Sequence, residues 1–108
     1  MDDFEKFEFY CNAKFYVKHG LIFNSIVVEP TFAELTCLLK TNSEHDIEKL
    51  YNHVDLSAIT EDYSKQFDFC YKIFLNWRKA INRDLPDIKC RIVLIDNGNE
   101  IAIYASRI

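Results

Sequence analysis

The chain has 108 residues, which suits one domain and leaves no room for two of ordinary size. Apolar residues make up 49% of it, so a core can form without disulfide or metal staples. Seventeen acidic residues against 13 basic ones give a formal net charge of −4, which argues against general affinity for nucleic acid phosphate and favours a basic protein partner.

The N-terminal stretch alternates in polarity. Phe7, Phe9, Cys11, Ala13, Phe15 and Val17 share one parity, while Glu8, Tyr10, Asn12, Lys14, Tyr16 and Lys18 share the other. Period two predicts a half-buried strand. The rival is a helix capped by Asp2 or Asp3 and closed near Gly20. On a helical wheel, however, the aromatic residues spread over every face, and the strand is preferred. A turn at His19-Gly20 leads into a second strand from Leu21 to Val28, which Glu29-Pro30 ends.

Thr31 can cap a helix that runs to about Lys40, with Phe32, Leu35, Leu38 and Leu39 as its apolar face. Ser43 and Asp46 form a variant capping box that opens a second helix through Ile47, Leu50, Tyr51 and Val54. A link from Asp55 to Thr60 follows. The clearest helix runs from about Glu61 to Arg83, with Phe67, Cys70, Tyr71, Phe74, Leu75, Arg78 and Ile81 as its expected inward stripe. Its acids lie near the positive end and its bases near the negative end, as the helix dipole favours. Leu85-Pro86 stops it. The runs Arg91–Ile95 and Ile101–Tyr104 flank Asn97-Gly98, a strong hairpin signal. The expected fold is therefore α+β, in the order β-β-α-α-α-β-β, with one antiparallel sheet of about four strands and three helices packed on one face.

The four cysteines, Cys11, Cys37, Cys70 and Cys90, are widely scattered among apolar neighbours. The opening Met1-Asp2-Asp3 is not the basic stretch and apolar run of a secretory signal. Reduced thiols and a cytoplasmic location are the expectation. The apolar runs Leu21–Phe23 and Ile26–Val28 fall far short of the ~20 residues of a membrane helix, so no membrane partner is expected.

Only two glycines, Gly20 and Gly98, are present, which excludes a Walker loop and a dinucleotide fingerprint. No two cysteines have the close spacing of a zinc site, and His45, Glu48 and His53 make at most a loose set on one helix. Cys70 lies among aromatic core residues, without a base on its face of the helix. No catalytic residue, metal site or cofactor is expected.

Two surfaces carry the functional expectation. The polar parity of the first strand, Glu8, Tyr10, Asn12, Lys14 and Tyr16, would present two exposed tyrosines of the kind that anchor protein interfaces. On the long helix Lys72, Asn76, Lys79 and Arg83 lie on one stripe, with Trp77 at its border, as a secondary surface. The function expected from these features is a non-catalytic protein-binding module, a small acidic inhibitor of a basic partner of the immunity-protein or phage counter-defence type. The alternatives are a small enzyme or ligand-binding domain, with Trp77, Tyr71, Arg78 and His53 lining a pocket between sheet and helices, and a homo-oligomer subunit that pairs through a sheet edge or the tyrosine face.

Overall fold

The structure, a computed structural model, describes residues 2–108. Along the chain run α1 (Asp3–Cys11), β1 (Phe15–Lys18), β2 (Leu21–Asn24), α2 (Phe32–Leu38), α3 (Glu44–Tyr51), β3 (His53–Asp55), a 3-10 turn (Leu56–Ala58), α4 (Tyr63–Asp84), β4 (Cys90–Asp96) and β5 (Ile101–Arg107). The α+β class holds, but the single sheet does not form. The strands make two antiparallel sheets, β1–β2 and β3–β5–β4. No described helix is long and apolar enough to cross a membrane.

The largest correction concerns the N-terminus, where residues 3–11 are a helix and only Phe15–Lys18 of the expected strand is extended. Asp2 decides the matter locally. Its carboxylate accepts the Glu5 amide at 2.8 Å, and Asp3 and Glu5 sit at the positive end of the helix. Phe7, Tyr10 and Cys11, at helical spacing, pack against the core. The aromatic residues left over on the wheel stay in water, Phe4 at 60% and Phe9 at 49% exposure.

The β1–β2 hairpin turns on His19 and Gly20, both at positive φ (55° and 77°), with Lys18 opposite Leu21. Two left-handed central residues give a turn whose twist matches that of the strands. Every residue of β2 is buried, because the strand divides two apolar clusters. Ile22 faces the main core, whereas Leu21 and Phe23 pack with Leu35 and Ile47 of α2 and α3. Thr31 and Ser43 cap those two helices as expected, accepting from the Glu34 and Asp46 amides. The expected continuation of α3 through Val54 fails; His53–Asp55 pairs with β5 instead.

Among the described residues no strand pairing joins the two sheets. A side chain of α3 bridges them. Glu48, 1% exposed, accepts the Ile22 amide at 2.7 Å from the hairpin, and the Arg107 amide at 3.2 Å and Nε at 2.9 Å from β5. Burial works against the Arg107 charge, but Glu44 and Glu48 outweigh it and raise its pKa. Asn52 adds a bond to the Ile22 carbonyl at 3.0 Å. A buried carboxylate is tolerated here because it is paired and hydrogen-bonded several times over.

In the three-stranded sheet β5 is central and buried on both faces. Ile101, Ile103 and Ala105 face α4 and join Ile73, Trp77 and Ile81 in the main core. On the other face the Lys49 ammonium of α3 lies 5.0 Å from the Tyr104 ring centre. Helices therefore cover both faces of this sheet, rather than one.

Candidate functional site

α4 organises the surfaces. Its buried side chains are Gln66, Cys70, Ile73, Trp77, Ala80 and Ile81, so the helix is rotated from the expected stripe towards Trp77. Only Cys70 and Ile81 of that stripe are fully buried. Trp77 is 0% exposed, and its indole N–H donates to the Tyr10 carbonyl at 2.8 Å. It is a core residue that fastens α1, not the border of a basic surface. Of the residues expected to line a pocket between sheet and helices, Trp77 is enclosed and His53 lies on β3 beside Asp55 at 3.6 Å, whereas Arg78 lines a hollow of about 340 Å³ between α4 and β4 with Phe74, Cys90 and Ile92.

The five residues expected on one strand face go to three places. Glu8 is exposed on the outer side of α1, near Glu5 and Phe9. Tyr10 turns inward and packs on the core. Asn12 and Lys14 line a hollow of about 440 Å³ together with Asn76, Lys79 and Arg83 from α4. Tyr16 is half-buried against Phe23, with ring centres 6.0 Å apart, and burial and the nearby Glu29 raise its hydroxyl pKa.

The hollow unites residues of the two surfaces that the sequence suggested separately. Lys72 beside it pairs with Asp68 at 3.1 Å, and Arg83 with Asp84 at 2.7 Å. Asp84 in turn accepts the Phe15 amide at 3.0 Å, which starts β1. Its pKa is held low by the Arg83 hydrogen bond, with burial opposing and the Phe15 amide adding to the effect. The hollow offers positive charge and amide groups but no activated nucleophile. The Cys11 thiol on its wall is pushed up to about 11, by burial first and then by Glu8. Burial alone raises Cys70 to about 11 as well. Thiols held this far above neutrality are poor nucleophiles. Among the described residues no three His, Cys, Asp or Glu side chains gather as metal ligands.

The α1 face combines charge with apolar anchors. Glu5 and Glu8 are exposed there beside Phe9, while the exposed Phe4 lies at the edge of the face, 6.2 Å from Phe7. Phe7, on the inner side, stacks on Phe69 of α4 at 4.8 Å, which fixes the roll of the helix and turns the acids outward. Sequence reasoning reached Glu8 by way of the wrong secondary structure. It placed Phe9 on the packed parity, yet Phe9 is 49% exposed, although the Asp2 cap and the 3-4 spacing of Phe7, Tyr10 and Cys11 were there to be read.

A third surface lies on the opposite flank of α4. Phe67, Tyr71 and Leu75 are 61%, 53% and 37% exposed, beside β4, whose Leu94 and Ile95 are 41% and 37% exposed.

No family model, curated protein or solved structure matches the chain.

Proposed function

We propose that the chain is a non-catalytic protein-binding module, a small acidic inhibitor that covers a basic protein partner, of the immunity-protein or phage counter-defence type. One observation carries the proposal: the outer face of α1, opposite Phe7, Tyr10 and Cys11, sets exposed Phe9 beside Glu5 and Glu8. Large aromatic side chains supply contact area at little conformational cost, and complementary charge speeds encounter and selects a partner of opposite sign. The net charge of −4 acts in the same direction at longer range.

The test compares capture by the native chain with capture by a Glu5→Lys, Glu8→Lys, Phe9→Ala variant in extracts of the native cell. All three side chains are exposed, so the fold is expected to survive. The native chain is expected to retain a basic protein in stoichiometric amount at low salt and to release it progressively as salt rises, while the variant retains none. Equal capture by the two chains, or no stoichiometric basic partner at low salt, rejects the proposal.

A further inference from the structure

The outer edge of β4 is open along its whole length. The Ile108 amide donates to the Lys89 carbonyl, and the Asn97 amide to the Glu100 carbonyl. Together with the pairing of Cys90 with Arg107 and of Asp96 with Ile101, these bonds place the inward-directed backbone groups at odd positions. Alternation along an antiparallel strand then directs the N–H and C=O groups of Cys90, Ile92, Leu94 and Asp96 away from β5. No described strand pairs with them, since β4 is the last strand of its sheet.

Exposed edges of soluble proteins are usually short, interrupted by proline or a bulge, or guarded by charge. β4 has seven residues, no proline, an unbroken register and an apolar run from Ile92 to Ile95. Alongside it, α4 turns Phe67, Tyr71 and Leu75 into solvent. Helix and strand run antiparallel. Tyr63 Oη donates to Asp96 at 2.6 Å at one end, and Arg78 and Asn82 flank Cys90 and Ile92 at the other.

Charge is divided along this edge. On the α4 side Glu61, Asp62 and Asp96 lie at the Tyr63 end and Arg78 at the Cys90 end, where Asp87 precedes Lys89 and Arg91 turns to the other face beside His45. Two copies that meet edge to edge in antiparallel fashion bring the basic end of each against the acidic end of the other. A two-fold axis normal to the sheet requires facing residues of equal parity, and full overlap of Cys90–Asp96 with its copy then sets Ile92 opposite Leu94 with Val93 at the axis. Both α4 helices then lie on the same side of the joined sheet, with Tyr71 near the axis and Phe67 close to Leu75 of the second copy.

We infer that the chain forms a two-fold dimer through β4, extending its three-stranded sheet to six strands and burying the aromatic flank of α4. The seam is independent of the proposed inhibitor surface, because α1 lies on the other flank of α4 and remains free in the dimer.

Sedimentation equilibrium of the full chain across ~1–100 μM, the range in which interfaces of ordinary size are populated, tests the inference. The expected mass is twice 12.8 kDa. Leu94→Lys and Ile95→Lys, on opposite faces of an exposed strand, are each expected to weaken the dimer roughly tenfold or more, with circular dichroism confirming that they fold. Arg78→Glu and Glu61→Lys are each expected to weaken it alone, and to form a heterodimer when mixed, since only the mixed pair restores opposite charges at both ends of the seam. A strict monomer at the highest concentration overturns the inference, as does a dimer that both lysine variants leave intact. Neither result bears on capture of a basic partner by α1.

Discussion

The two flanks of α4 carry similar aromatic side chains and meet opposite fates. On one, Phe69 stacks on Phe7 and Trp77 bonds to the Tyr10 carbonyl, because α1 folds back to cover them. On the other, Phe67, Tyr71 and Leu75 stay exposed, because among the described residues no element lies beyond β4. Exposure here follows from connectivity rather than composition. A helix that is apolar over most of its circumference needs cover on more than one side, and this chain covers α4 twice, with the sheet and with α1.

Substitutions can break this comparison or sharpen it. The largest effect is expected on the covered side. Trp77→Ala removes the largest fully buried side chain and leaves the Tyr10 carbonyl without its donor, and a loss of about 3–5 kcal/mol in denaturant unfolding is expected. Glu48→Ala follows. It leaves the Ile22 and Arg107 amides unpaired and removes the bridge between the sheets, with an expected cost of about 3 kcal/mol. A loss below about 1 kcal/mol would show that the sheets hold together without the Glu48 bridge.

Asp84→Asn has a smaller effect, and its sign depends on pH. The folded pKa of Asp84 is depressed, so its contribution is present above the ordinary carboxylate value near ~4 and is lost as pH falls through the folded value. The variant is expected to be about 1 kcal/mol less stable at neutral pH and to converge on the native chain in acid. Urea melts at several pH values check this, and a difference that persists unchanged in acid would mean that the carboxylate charge is not what matters. The smallest effect belongs to the bare flank. Tyr71→Ala, measured in dilute protein, is expected to change stability by no more than about 0.5 kcal/mol.

The sequence was most legible where one residue type enforces one geometry. Thr31 and Ser43 start α2 and α3, His19-Gly20 turns the first hairpin, and Asn97-Gly98 sits in the second. It misled at residues 7–11, because alternating aromatic residues satisfy period two while a single carboxylate at Asp2 tips the backbone into a helix. The rotation of α4 was hidden for a related reason. Phe67 and Tyr71 look like core residues by hydropathy, yet Gln66 is buried in their place because its side-chain amide serves the Thr60 carbonyl and the Ile101 amide. The role of Glu48 as the joint between two sheets has no local signature, since its partners lie 26 and 59 residues away. The site suffered in proportion. Asn12, Lys14, Asn76, Lys79 and Arg83 were all singled out, but only tertiary packing gathers them around one hollow.

One property of α1 reaches beyond binding. None of its residues is fully buried, and a ring stack and an indole bond provide much of its anchorage. It belongs to the low end of the molecule's spectrum of local unfolding energies. Its amide protons are expected to exchange with solvent ahead of those of β5, in openings that leave the sheets intact. A surface on such a segment would be ordered further by whatever grips it, and slower exchange confined to residues 3–11 would record that capture directly.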